Sequence, residues 1–215
     1  MILDELTKSL KTGFLDKNIE SENLYQPTLL VNTKNPPQKV LSTIANELRS
    51  CDEFYISVAF ATSGGVATLM NALKSIEEKR VKGKVLVSQY LNFTQPEALK
   101  KLLQFSNIEL RIATKENSHV KGYLFKKEEY YNLIIGSSNL TSAALSLNKE
   151  WNLKVSALHP SSIVDNIMSE FNADFSLGIP VTTSFIKDYE EIYNLSLIHI
   201  PSPRDRQKSR MPSSA

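Results

Sequence analysis

The sequence predicts a mixed α/β domain, one β-sheet flanked by helices. Three observations predict it. Strand-like and helix-like runs alternate from about residue 26 to residue 113, the order that builds a sheet covered by helices. The run from Glu53 to Phe60, Glu-Phe-Tyr-Ile-Ser-Val-Ala-Phe, is apolar on both faces, as suits a central strand between helix layers. After residue 118 three short strand-like runs follow with little helix between them, which makes the sheet a mixed one.

Taken in order, Ile2, Leu3, Leu6 and Leu10 fall at helical spacing and predict a short amphipathic arm that Gly13 ends. Gln26–Asn32 reads as the first strand. Asn35-Pro36-Pro37 reads as a stop followed by a helix start, because proline suits a first helical turn. Val40, Leu41, Ile44, Ala45 and Leu48 mark one buried face up to about Ser50. Cys51 follows as a packing residue. Thr62-Ser63-Gly64-Gly65 opens a helix carrying Val66, Leu69, Met70, Leu73 and Ile76. Lys82–Ser88 is the next strand. A helix then starts near Pro96, capped by Asn92 or Thr94, with Ala98, Leu99, Leu102 and Leu103 inward. Ile108–Ala113 is the fourth strand. The runs at 118–125, 131–136 and 151–158 complete the sheet, with Lys126 to Glu129 as a hairpin turn. A helix over 161–175 carries Ile163, Ile167, Met168 and Phe171, and a last helical pattern spans Thr183–Tyr193. His159 beside Pro160 sits in an exposed turn, and Tyr130 and Tyr131 pack within a strand. No internal repeat is seen.

The chain has 215 residues, with 25 Lys and Arg against 23 Asp and Glu, net +2. Residues 195–215 read as the in-frame translation of a transposase sequencing adapter, beginning Leu-Ser-Leu-Ile-His-Ile, or else as a natural disordered basic tail. That stretch holds Arg204, Arg206, Lys208 and Arg210 against Asp205. Without it, 21 basic residues face 22 acidic ones, net −1. Global charge therefore gives no support to nucleic-acid binding, and phosphate recognition must come from local placement. The single cysteine excludes an internal disulfide. No apolar run approaches the roughly 18 residues of a membrane span, and the amino end lacks signal-peptide character. A cytoplasmic protein is expected. The expected organisation is a helical arm over 1–24, one domain over 25–178, and a helical start of a linker or next domain over 179–194.

The functional signal lies in the last three strand-like runs. His119 and Lys121 are two apart in the first, Ser137 and Asn139 in the second, Glu150 and Asn152 in the third. A strand repeats its face every second residue, so each pair points one way. Neighbouring strands would bring an imidazole, an ammonium, a hydroxyl, a carboxamide and a carboxylate to one patch. Such a set can handle a phosphate diester. Gly64 and Gly65, with Ser63, either offer free backbone N–H groups to a phosphate or make a tight turn. Ser137 and Asn139 could also cap a short helix over 140–145, and Glu150 could be a solvated charge.

These residues resemble the phospholipase D superfamily, whose motif is H-x-K followed by G-S-x-N. His119-Val120-Lys121 and Gly136-Ser137-Ser138-Asn139 match it, and Glu150 follows Asn139 by eleven residues, as in the family's nucleases. The Asp usually found five residues after the Lys is replaced by Lys126. Residues 25–178 most resemble the amino-terminal nuclease-like domain of certain superfamily II DEAD/DEAH helicases, through Tyr90–Thr94 and Lys149–Asn152 as well. No nucleotide-binding Gly-x-x-x-x-Gly-Lys-Ser/Thr is found. The resemblance implies a phospholipase D-like mixed β-sheet flanked by helices, with one motif copy per chain.

It also implies roles. His119 is the nucleophile on phosphorus, giving a phosphohistidine, and a second histidine protonates the leaving oxygen. One H-x-K is present where two are needed, so a homodimer through the motif face would supply the other. Lys121 and Asn139 would hold the non-bridging oxygens, Ser137 would add a hydrogen bond, and Glu150 would orient the partner's imidazole. Ser138 and Asn152 are weaker candidates for substrate contact. No metal or other cofactor is required. The expected partners are nucleic acid, DNA ahead of RNA, and a helicase core in the same chain; no membrane is expected. The reading from another class is a non-catalytic nucleic-acid-binding module that targets a helicase and keeps the site as a phosphate pocket.

Overall fold

The computed structural model describes residues 1–88, 93–114 and 118–199, with side chains through residue 195. The elements run α1 (Ile2–Phe14), β1 (Thr28–Leu30), α2 (Val40–Ser50), β2 (Glu53–Val58), α3 (Ser63–Glu78), β3 (Lys82–Val87), α4 (Pro96–Leu103) and β4 (Ile108–Ile112). They continue with β5 (Lys121–Lys126), β6 (Tyr130–Gly136), α5 (Ser142–Ser146), β7 (Asn152–Leu158), α6 (Ser162–Leu177), β8 (Ile179–Pro180) and α7 (Thr183–His199). Asn92, Tyr90 and Leu91, invoked for a cap and for the family resemblance, lie outside the described residues, as does the tail from residue 200.

The strands form one eight-stranded sheet in the order β1-β7-β6-β5-β2-β3-β4-β8. β2, β3 and β4 are parallel. β5 pairs antiparallel with β2, and β6, β7 and β1 follow antiparallel. β2 is therefore where the parallel half meets the antiparallel half. Its apolar faces are explained by layers on both sides. Phe54, Ile56 and Val58 enter the main core with Ile44 and Leu48 of α2, Leu69 and Ile76 of α3, and Leu99 of α4. Tyr55 packs on the opposite face against α6, edge-on to Phe171 at 5.5 Å. Among the described residues no helix is long and apolar enough to cross a membrane.

Several local expectations are corrected. Pro36 and Pro37 do not open α2; its N-cap is Lys39 and Val40 is its first residue. Gly13 does not end α1, which runs through Phe14. Thr94 is not a helix cap: its hydroxyl donates to the Ser88 carbonyl at 2.7 Å and receives the Ala61 N–H at 3.4 Å, while Gln95 precedes Pro96. Ile163 is exposed, and Val164 takes the buried place on α6. Lys126 is the last residue of β5 rather than a turn residue, and it ion-pairs with Glu53 at 3.2 Å. The short helix begins at Ser142, and Thr141 caps it by accepting the Ala144 N–H at 3.1 Å. Ser137 and Asn139 are thereby released from capping.

Residues 179–194 join the same sheet and core. β8 pairs with β4, and Ile186 and Tyr189 of α7 are buried, the Tyr189 hydroxyl donating to the Thr94 carbonyl at 2.7 Å. At the other edge Glu47 of α2 is buried among charges from the antiparallel strands. Lys154 and Lys127 reach it at 2.8 and 3.1 Å, and Asn132 Nδ2 donates to it at 2.8 Å. Ser156 in turn donates to Asn132 Oδ1 at 2.6 Å.

Candidate active site

The register brings the motif residues to one end of the sheet. Val58 of β2 faces Lys121 of β5, Gly122 faces Ile135 of β6, and Gly136 faces Asn152 of β7. Strands lie about 4.8 Å apart, so the starts of β5 and β7 and the ends of β2 and β6 form one row. His119 is exposed and precedes β5, so it lies outside the ladder that Lys121 begins. It remains tied to Lys121, whose Nζ lies 2.6 Å from His119 Nδ1 and donates to the His119 carbonyl at 2.8 Å.

Lys121 is buried, and desolvation lowers its pKa from the ordinary lysine value, with the nearby Glu150 carboxylate opposing that shift. A desolvated ammonium is a strong donor to an incoming anion, because little water competes for it. Ser137 bridges β6 and β7. Its hydroxyl donates to the Glu150 carboxylate and accepts the Trp151 N–H at 3.1 Å. Ser137 N–H donates to the Trp151 carbonyl at 3.1 Å. Asn139 is buried, and its Oδ1 accepts the Phe60 N–H at 3.2 Å. That bond sets the carboxamide's orientation, and its Nδ2 has no protein partner among the described residues. All five residues expected to do chemistry thus border one patch, with Lys121 and Asn139 as its donors.

A supporting layer was not legible as such. Ser138 and Asn152, considered above as substrate contacts, are buried at 0% and 1% exposure and satisfy each other. Asn152 Nδ2 donates to Ser138 Oγ at 2.9 Å, and Ser138 N–H donates to Asn152 Oδ1 at 3.2 Å. Tyr123, fully buried two residues beyond Lys121, donates to the Ser138 carbonyl at 2.9 Å, and burial pushes its hydroxyl pKa up. These bonds fix the turn that presents Ser137 and Asn139. The period-two step from Lys121 to Tyr123 was the available signal. Gly136 is required by this construction: a Cβ there would sit 2.2 Å from the Trp151 carbonyl oxygen.

Ser63, Gly64 and Gly65 stand at the start of α3. Gly65 N–H donates to the capping Thr62 hydroxyl at 3.1 Å, and Ser63 N–H to Gln95 Oε1 at 2.8 Å. A Cβ on Gly65 would lie 2.0 Å from the Leu140 carbonyl oxygen. Close packing of α3 on the loop after β6 accounts for that glycine. Lys126, at the family's Asp position, lies at the far end of β5, about 16 Å from Lys121 at a strand rise of about 3.3 Å per residue. Among the described residues no group of three or more His, Cys, Asp or Glu converges as a metal site.

The arrangement can hold a tetrahedral anion beside an imidazole. Residues 44–175 match the family described as "Cardiolipin synthase, PLD-like domain". NucT from Helicobacter pylori is similar in structure, with a TM-score of 0.55 at 16% identity over 73% of this chain and 99% of that one. Nuc from Salmonella typhimurium, a phospholipase D family member, also gives 0.55 at 16% identity, over 74% and 100%. Phosphatidylserine synthase from Haemophilus influenzae gives 0.55 at 12% identity, over 80% and 46%. No curated protein sequence matches the chain. At these identities the structural likeness speaks to the fold, which is the mixed α/β architecture expected from the sequence.

Proposed function

The chain belongs to the phospholipase D-like family, and on that premise we propose that it is a metal-independent phosphodiesterase acting on nucleic acid, DNA ahead of RNA. The observation that carries this reading is the row of His119, Lys121, Ser137, Asn139 and Glu150 at one end of the sheet. The substrate phosphate displaces the Lys121 ammonium from His119 onto a non-bridging oxygen, and Asn139 Nδ2 donates to that phosphate. An imidazole lone pair of His119 then attacks phosphorus. The P–O bond to the leaving strand breaks as the P–N bond forms. The departing oxygen takes a proton from His119 of the partner subunit. That histidine then removes a proton from water, which attacks phosphorus, breaks the P–N bond and restores His119. Lys121 and Asn139 stabilise the added negative charge in both steps. Glu150, held by Ser137, orients the second imidazole and fixes its tautomer.

The chemistry needs two histidines, and one H-x-K is present per chain. A two-fold homodimer supplies the second. Val120, just before β5, and Ile135, Leu153 and Leu29 of β6, β7 and β1 are all 42% or more exposed, at the motif end of the sheet on the face opposite the Lys121 side chain. A contiguous apolar band of this kind favours association with a second copy. The resemblance of residues 25–178 to helicase-associated nuclease-like domains extends this reading to a domain that acts beside a helicase core.

The test is digestion of labelled single- and double-stranded DNA and RNA in excess chelator, wild type beside His119→Ala. Cleavage by wild type alone supports the reading. Equal cleavage by both proteins identifies a contaminant and overturns it. Salt-sensitive binding without cleavage, weakened by Lys121→Ala, would make the domain a targeting module instead.

A further inference from the structure

Two aromatic groups are attached to the site through the motif itself, one on each flank. On the β7 flank, the Trp151 backbone is held by Ser137 at both its N–H and its carbonyl, yet its residue is 63% exposed. Asn152, the next residue, is buried, so the exposure is local to the tryptophan. On the β2 flank, the Phe60 N–H donates to Asn139. The Phe60 ring meets Phe93 edge-on at 5.6 Å, and Phe93 is 46% exposed. Lys101 adds a cation on the same flank, reaching the Ser63 carbonyl at 3.3 Å.

Neither flank looks like ordinary core. The main hydrophobic cluster contains none of Trp151, Phe60 or Phe93. A folded chain gains little from leaving a tryptophan mostly in water on a backbone fixed at two points. The flanks stand three strand steps apart, from β7 to β2, or about 14 Å at about 4.8 Å per step. The proposed phosphate position on Lys121 and Asn139 lies between them. This span suits one scissile phosphate with a base on either side.

Resting on the phosphodiesterase reading above, we propose that the site takes an unpaired nucleic-acid strand, with Trp151 and the Phe60–Phe93 pair as base-stacking platforms flanking the scissile phosphate. In a duplex the base faces are already stacked on their neighbours and closed to such rings. In an unpaired strand they are open, and a ring accepts any base because every base has a π-face. The Gly-Ser-Ser-Asn segment then does two jobs. Its side chains bind the phosphate, and its hydrogen bonds set the positions of the two platforms. Bond breaking and substrate selection are thereby coupled through Ser137 and Asn139.

The test uses His119→Ala protein, which holds substrate without cutting it. Its binding to a single-stranded oligonucleotide carrying 2-aminopurine beside the central phosphate is measured, along with the fluorescence change. The same sequence as duplex is measured at equal salt. The single strand should bind more tightly and show stacking quench. Adding Phe93→Leu or Trp151→Leu should weaken it on the order of 10-fold each and reduce the quench, while Trp151→Phe should restore most of the loss. Both positions are exposed, so the melting temperatures should hold. Duplex binding as tight as single-strand binding would overturn the proposal, as would leucine variants that bind and quench like their parent. If His119→Ala binds neither form and wild type cleaves neither, the phosphodiesterase reading itself fails. Cleavage of both forms with no effect of the ring variants leaves that reading standing and removes this one.

Discussion

Replacing Glu47 by Ala tests the polar clamp between α2 and the antiparallel strands. Glu47, Lys127 and Lys154 have side chains only 9%, 11% and 13% exposed, and Asn132 and Ser156 complete the network. Burial alone would raise the Glu47 pKa. Hydrogen bonds from Lys154 and Asn132, with the charges of Lys154 and Lys127, outweigh it and hold the carboxyl below its ordinary range. Removing one member of a buried ionic set leaves the others uncompensated, at a cost of about 3–5 kcal/mol. The groove beside these lysines, about 500 Å³ and open to water, lets them rehydrate, so the lower end, about 3 kcal/mol, is expected. For a chain of this size that lowers Tm by roughly 6–12 °C. Because the folded-state pKa is depressed, the stabilisation is fully present above the unfolded value and is lost as pH falls through the folded one. Thermal melts of wild type and Glu47→Ala should therefore differ most near neutral pH and converge in acid. Changing Lys127 and Lys154 to Met in the Glu47→Leu background should recover part of the loss, since an apolar replacement of a buried ionic set is near neutral, while Asn132 Nδ2 is left without its acceptor. A Glu47→Ala melt within about 2 °C of wild type near neutral pH would refute the reasoning.

The remaining predictions concern the site. Lys121→Ala and Asn139→Ala should each slow cleavage on the order of 100-fold or more, the scale for losing one oxyanion donor, with binding affected less; rates within a few-fold of wild type would remove them from the chemistry. Glu150→Gln should slow turnover while leaving binding of an uncut oligonucleotide largely intact. Gly136→Ala should lose activity and stability together, because its Cβ meets the Trp151 carbonyl, and chemical-denaturation curves would show it. The domain should sediment as a dimer across a concentration series; a strict monomer that cleaves DNA would contradict the two-histidine scheme.

Some of this was legible in the sequence for clear physical reasons. β2 announced itself because it is apolar on both faces, and α2 because Val40, Ile44 and Leu48 recur at helical spacing. β8 gave no signal: a two-residue strand has no periodicity, and only its pairing with β4 defines it. Pro36 read as a helix opener because its fixed φ suits a first turn, yet tertiary packing starts α2 at Val40. The motif residues were visible as three pairs at a spacing of two, yet of those six only Lys121 and Asn152 lie within strands, and sequence cannot say whether a polar side chain meets substrate or a buried partner. Ser138 and Asn152 meet each other. The clamp around Glu47 was equally hidden, although Asn152, Lys154 and Ser156 form a polar face at period two on β7. Lys126, at the family's Asp position, ends β5 and ion-pairs with Glu53, a partnership that spacing along the chain does not show.

The central claim is a covalent bond between phosphorus and His119. Wild-type protein is mixed in chelator with an oligonucleotide carrying a labelled phosphate, quenched under denaturing alkaline conditions during turnover, and the protein examined for label. Label is expected on the peptide containing His119, stable to base and released by acid as phosphohistidine is, and none on His119→Ala. Cleavage that proceeds with no label on the protein at any time, or label on another residue, would contradict it.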